Sequence, residues 1–325
     1  MLAYVIKRIL YAIPVILVVN LITFLLYFKL NSPDDMARLQ LGNKHVTTAA
    51  IQDWKKEHGY DKPIFYNFHA SALHHLTDTL FFEKSLKMLV FDFGQSDANR
   101  NISNDLKMRM GPSLAIALPS FILGIIVNVS VALSMVLFRE TWIERSMVLL
   151  CLIIMSISTL FYIIFGQFIV AKWWHWVPLS GYSPGWSQFK FVILPILIAI
   201  ISSLGADARW YRAIFLEEAN KEYVQLAKAK GLSSMQILLH HVLPNGALPI
   251  LTGVVVLIPS LFLGSLLLES FFGIPGLGSY TMDAILQQDF AIVRVMVYLG
   301  TVLYILGLIL TDLAYTYADP RIRLE

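Results

Sequence analysis

Residues 9–30 read ILYAIPVILVVNLITFLLYFKL, twenty-two positions that carry a single charge, Lys29. A helix of about 20 apolar residues crosses the hydrocarbon core of a bilayer, whereas a cleavable leader has a shorter apolar stretch and a small-residue cleavage site. Lys7 and Arg8 stand just ahead of the run. The stretch therefore reads as an uncleaved first membrane span.

Five more runs have the length and apolarity to cross, at about 114–138, 147–170, 191–208, 247–270 and 293–317. The fourth is the least regular, since Pro195, Gly205 and Asp207 interrupt it. Composition agrees with a polytopic membrane chain: 57% of the residues are hydrophobic and 14% charged, against about 25% charged in an ordinary soluble domain. A net charge of +3 is too small and too dispersed for a nucleic-acid surface. The single cysteine, Cys151, permits no intrachain disulfide and no cysteine-based metal site, and it reads as a small core hydrophobe.

Lysine and arginine in the short connections set the orientation. With the N-terminus inside, the inner side holds Lys7, Arg8, Arg139, Arg145, Arg209, Arg212, Lys221, Lys228, Lys230, Arg321 and Arg323, and the short outer loops only Lys172, Lys190 and Arg294. Both termini are then cytoplasmic. The long charged stretch 31–110 lies outside, as long loops translocate largely regardless of charge. The chain divides into 1–30, a first transmembrane helix; 31–110, an extracytoplasmic insert expected to form a few helices; and 111–325, a core of five further spans with an inward loop at 209–245. WWHW at 173–176 suits a headgroup-level aromatic belt at the outer end of the third span.

The inward loop contains EYVQLAKAKGLSSMQILLHHVLPN, residues 222–245. Leu216, Tyr223, Leu226 and Ala227 recur at helical spacing; Gly231 suits a left-handed turn and Ser233 or Ser234 a new N-cap. A second short helix is expected to run from there until Pro244 ends it. Small residues, Ala227 and Ala229, would let another surface approach closely. On pattern alone, a solvated basic loop fits as well.

This segment, extended to GALPI at 246–250, resembles the cytoplasmic EAA loop of permease subunits of bacterial ABC importers, and in detail the dipeptide/oligopeptide/nickel branch. The resemblance rests on Tyr223, Val224, Ala227, Ala229, Lys230, Gly231, Leu232, His241, Asn245, Leu248 and Pro249, with Pro244 thirteen residues after the glycine. Gln225 departs from it, standing where the broad motif has its first glutamate. Other motifs follow in order: GYDKPIFYNF at 59–68, FDFGQS at 91–96 with Phe91 in place of the usual glycine, GSLLLESFFGIPGLGSYTMDAILQQDF at 264–290, and DLAYTYADPRIR at 312–323. The residues around 66–88 exceed the shorter members.

The resemblance implies an all-α integral membrane protein of the type I importer permease fold, with six transmembrane helices. It implies pairing with a second permease in a heterodimer, two cytoplasmic ATP-binding cassette subunits and an extracytoplasmic substrate-binding protein, in the bacterial inner membrane. ATPase coupling would fall on Glu222, Tyr223, Ala227, Ala229, Lys230, Gly231, Leu232, His241, Pro244 and Asn245. An outer-gate or binding-protein side would fall on Glu269, Phe272, Pro275, Gly276, Gly278 and Asp289. Cargo in the branch spans di- and oligopeptides, nickel chelates, glutathione, sugars and antimicrobial peptides, with peptides the expectation here.

Bland readings stand beside these. A carboxylate deep in lipid costs about 2.5–3.5 kcal/mol on insertion scales, so Glu269 should face protein or water. A structural bond to the GIPGLG turn is favoured over a gate. Asp207 and Asp312 are expected to pair with Arg209, Arg212 or the tail arginines. Asn128, Ser130 and Ser134 border a pathway or simply join helices. His69, His74 and His75 lack the spacing and companions of a metal site, and His240 and His241 suit packing or interfacial bonding. No P-loop, G-x-S-x-G or H-E-x-x-H sequence occurs, so no cofactor, no metal and no enzyme activity are expected. An ATP-independent channel or secondary transporter is the alternative; such carriers show inverted repeats and paired broken helices, and neither is evident.

Overall fold

A computed structural model describes residues 2–30, 32–42, 46–68 and 75–318. Among them all regular structure is helical, apart from one isolated bridge between Gln95 and Asn101. In chain order the helices are α1 (Leu2–Leu30), α2 (Pro33–Leu41), α3 (Thr48–His58), α4 (Leu80–Lys84), α5 (Ile102–Leu137), α6 (Trp142–Ser156), α7 (Thr159–Gly166), α8 (Gln188–Ala219), α9 (Glu222–Ala229), α10 (Ser234–Ile237), α11 (Leu243–Val255), α12 (Leu266–Phe272), α13 (Leu277–Leu286) and α14 (Phe290–Ala318).

Among the described residues, five helical stretches are long and apolar enough to cross a membrane: Ile6–Phe28, Ile102–Leu137, Gln188–Ala219, Ser234–Phe272 and Phe290–Ala314. A sixth arises if Trp142–Ser156 and Thr159–Trp173, bent by 90° at their junction, form one span. The bent run is not the one that the sequence marks as least regular. The 191–208 run forms the unbroken 32-residue α8 with Pro195 inside it, because a proline in a packed transmembrane helix costs little when neighbours re-satisfy the backbone. The 147–170 run is the broken one. Ile157 is extended, Ser158 caps α7 by accepting from the Phe161 N–H, and the Tyr162 hydroxyl donates to the Ile154 carbonyl at 2.8 Å. Side chains thus satisfy groups that the bend releases.

The chain forms two compact units, one of residues 1–110 with 280–306 and one of 111–279 with 307–324. In the first, Phe24, Met36, Ala37, Ile51, Trp54, Tyr60 and Leu80 make an aromatic-rich core, with Phe28, Phe81 and Phe290 packed on it. Trp54 stacks on Tyr60 with ring centroids 5.4 Å apart. Its short helices start where the sequence offers caps. Ser32 and Asp35 form a capping box on α2, Thr47 caps α3, and Gly59 ends α3 in the left-handed region. Between positions 69 and 91 the described residues hold only α4 and one 3-10 turn, Leu86–Val90; His69 and His74 lie outside the described residues.

The second unit is built around α8. Gly205 lets α6 come close: a Cβ there would overlap the Cys151 carbonyl and the Met155 backbone. Arg212 on α8 pairs with Glu144 on α6. A core of Ala132, Tyr211, Phe215, Val224, Ala227, Ile237 and Leu238, among others, joins α5 and α8 to α9 and α10.

Candidate functional site

The 222–245 segment folds as two helices around a tight turn. Lys221 precedes α9 in extended conformation, and Gly231 adopts φ +82. Open space surrounds Gly231, so the backbone conformation, not crowding, calls for glycine there. Ser233 and Gln236 then form a capping box that starts α10.

Pro244 does not end the second helix. The chain passes from α10 through a π turn, Leu238–Val242, directly into α11, where Pro244 occupies a first-turn position. Proline is tolerated there because the N–H it lacks needs no helical partner. The wider π turn also changes the register of the ladder just before it. Asn245 contributes by donating its side-chain amide to the His241 carbonyl at 2.7 Å.

One face of this pair is buried and the other is not. Val224, Ala227, Ile237, Leu238 and Val242 enter the core, so Ala227 packs inward and offers no approach surface. Leu226, Leu232, Met235 and Leu239 remain exposed and form an apolar face that the spacing of small residues did not point to. Glu222, Ala229, Lys230, Pro244 and Asn245 are exposed as well, and His241 is half-buried. The Tyr223 hydroxyl donates to Glu218, and burial with that carboxylate pushes the phenol up to about 12. Lys221 pairs with Glu218 at 2.6 Å, and Arg139 donates to Asn220 at 3.0 Å.

Glu269 lies in a turn-lined cradle. Its two carboxylate oxygens accept the N–H groups of Ser265 and Ser279 at 3.1 and 3.0 Å. Side chains on Gly264 or Gly276 would overlap the carboxylate itself. Ser113 accepts the Leu277 N–H at 2.7 Å beside it. Glu269 is 1% exposed, and its bonds come from backbone N–H groups on either side of it, Ser265 just ahead of α12 and Ser279 just after the GIPGLG turn; Phe272 packs in the same core as Ile274. Asp289 belongs to the other unit. There it accepts the N–H groups of Asp97 and Ile292, both at 3.3 Å.

A cavity of about 390 Å³ opens in the second unit between α5, α8, α11 and the segment 257–269. Asp207 lines it, but without the expected arginine. Its partner is the Asn128 amide at 3.0 Å, which also donates to Ser203 at 3.3 Å. Arg212 is held by Glu144, and Arg209 contacts the Met155 sulfur at 3.0 Å. Ser130 and Ser134 bond back to carbonyls of their own helix.

Sequence comparison now adds to this geometry. Residues 129–324 match the family described as "Binding-protein-dependent transport system inner membrane component", and residues 1–113 match the description of its N-terminal region. The chain belongs to that family. It is an ABC transporter permease, an importer subunit of the peptide-transport type. Relatives include a putative peptide transport system permease protein of Brucella abortus (strain 2308), 29% identical over 333 residues and the full length of both chains. The glutathione transport system permease proteins of Salmonella typhimurium and Shigella flexneri are 28% and 26% identical, each over 99% of both chains.

Such permeases function with ATPase subunits and a substrate-binding protein, and are not themselves enzymes. Among the described residues no group of three or more His, Cys, Asp or Glu side chains is placed to hold a metal. The tail motif at 319–323 lies outside the described residues.

Proposed function

We propose that this permease imports di- or oligopeptides, forming the pathway with a second, related permease and taking its drive from two ATP-binding cassette subunits that dock on α9 and α10. The observation that carries the docking reading is the exposed apolar face of Leu226, Leu232, Met235 and Leu239, on helices whose opposite face is locked into the core. Rigid helices fastened on one side transmit a push better than a free loop. Glu222 and Lys230, each four residues from Leu226 and so on the same side of the helix, are exposed beside it.

The Lys and Arg distribution supports an inner-membrane protein with both termini and residues 209–245 in the cytoplasm and residues 31–110 outside. A binding protein would then deliver cargo to the outer side. Peptide cargo rests on the relatives, named for peptide and glutathione transport over their full lengths.

The test is co-purification and coupled transport. The chain is expected to bring down a second permease and ATPase subunits in mild detergent. Gly231→Pro, which forbids φ +82 and removes the N–H that donates to Lys228 at 2.9 Å, is expected to leave ATPase binding weakened and uptake lost. Normal uptake by Gly231→Pro, or recovery of the chain with no ATPase, would overturn the reading.

A further inference from the structure

We infer that the cavity beside Asp207 is a binding point for a primary ammonium group of the cargo, such as the amino end of a peptide. The inference rests on the permease reading above and adds to it the chemistry that this subunit selects.

The lining decides the charge. Two carboxylates, Asp207 and Glu269, face the cavity, and no lysine, arginine or histidine lines it. Glu269 is satisfied by backbone N–H groups and is almost wholly enclosed. Asp207 has only neutral donors, and both nearby arginines on its own helix are engaged elsewhere. Asp207 lies within a helical stretch long and apolar enough to cross a membrane, and an ionisable residue in such a helix without a cation partner points to a functional site.

The hydrogen-bond inventory decides the ligand. Asn128 is 2% exposed; its amide nitrogen serves Asp207 and Ser203, while its carbonyl oxygen, buried, has no partner. The reverse orientation would set that oxygen against the carboxylate, so the acceptor must face away from Asp207. Asp207 takes one donor from Asn128 and, with two carboxylate oxygens, keeps acceptor capacity towards the cavity. An ammonium carries three donors and no acceptor, and the Trp210 ring in the same lining adds a face that attracts cations. The volume, about 390 Å³, falls in the usual range of roughly 300–1,000 Å³ for small-molecule sites.

The test needs no knowledge of the cargo. Cys151 is the sole native cysteine, so Cys151→Ala gives a thiol-free chain, and Ser260→Cys adds a reporter at an exposed position of the cavity wall. In membranes holding the complete importer, a methanethiosulfonate reagent bearing a primary ammonium is compared with one bearing a sulfonate. The ammonium reagent is expected to react faster by on the order of tenfold, the scale of local electrostatic concentration. Asp207→Asn is expected to collapse the ratio towards one, and Asp207→Glu to retain it. Equal rates in the parent, a ratio unchanged by Asp207→Asn, or no labelling by either reagent would overturn the inference. The permease reading fails separately, by absence of ATPase subunits from the purified assembly.

Discussion

The Tyr223 hydroxyl donates to the Glu218 carboxylate at 2.5 Å, tying the first turn of α9 to the last turn of α8. A weaker bond reaches the His241 carbonyl at 3.4 Å, in the π turn. Tyr223→Phe removes both and leaves Glu218, 8% exposed, with Lys221 as its remaining side-chain partner. A hydrogen bond to a charged group is worth about 1.5–3 kcal/mol, and the expected outcome is a fall of that order in the stability of the detergent-purified assembly. The phenol is held at about 12 in the folded state. The tie is thus fully present below the free tyrosine value near 10. It is lost as pH rises from there through about 12, and Tyr223→Phe should reduce that alkaline loss. A melting temperature measured against pH checks both parts.

Glu269→Gln tests the cradle. The carboxylate accepts on both oxygens, whereas an amide presents a donor to one of the two N–H groups. A cost of about 2–3 kcal/mol is expected, as for an unsatisfied buried group. Gly276→Ala, whose Cβ would overlap Glu269 and Ser113, should be more damaging. Should Glu269→Gln melt like the parent while uptake stops, Glu269 would be a cargo contact and not a structural one.

Gly205→Leu probes the closest approach of α6 and α8. Even a methyl group would overlap the Cys151 carbonyl and the Met155 backbone, and close backbone contact is what small residues permit between membrane helices. The expected outcome is loss of folded protein by size-exclusion profile. An unchanged profile would contradict the packing.

Asp289→Asn probes the pairing of two carboxyl groups in the first unit. Burial first, and then the Asp97 charge, push the Asp289 carboxyl above the usual range. A raised folded value means that the folded protein holds the proton more tightly, so stability should rise as pH falls through that value towards about 3.9. Asparagine retains an oxygen for the Asp97 and Ile292 N–H groups and removes the charge. The variant should be at least as stable as the parent near neutral pH and lack the acid-side gain. Melting curves from pH 7 down to about 4, the free carboxylate value, decide it.

Much of the architecture is legible in residue order, because lipid imposes long uninterrupted apolar helices and leaves few alternatives. The turn at Gly231 is legible for a similar reason: few residues but glycine adopt φ +82 freely. Phe91 shows the same logic inverted. It stands at φ 59, in the left-handed region where the resembling pattern has glycine. Other features depend on partners distant in sequence. The bend at residues 156–159 carries no proline or glycine, and Tyr162 supports it through the Ile154 carbonyl. Asp207 was expected to find an arginine nearby in sequence, yet Asn128, seventy-nine residues away, takes it. The inward burial of Ala227 follows from α5 and α8, which no local pattern encodes.

The π turn at Leu238–Val242 has a mechanical meaning. A π turn holds one residue more than the α-helical path it replaces, and each helical residue corresponds to about 1.5 Å of travel and about 100° of rotation. Downstream on the same strand of chain, Gly253, Val254 and Leu257 face the cavity beside Asp207. A helix that winds or unwinds at one point turns like a screw along its length. Taking up that single surplus residue would swing Gly253 and Val254 to a different side of α11, changing what the cavity wall presents without bending the helix.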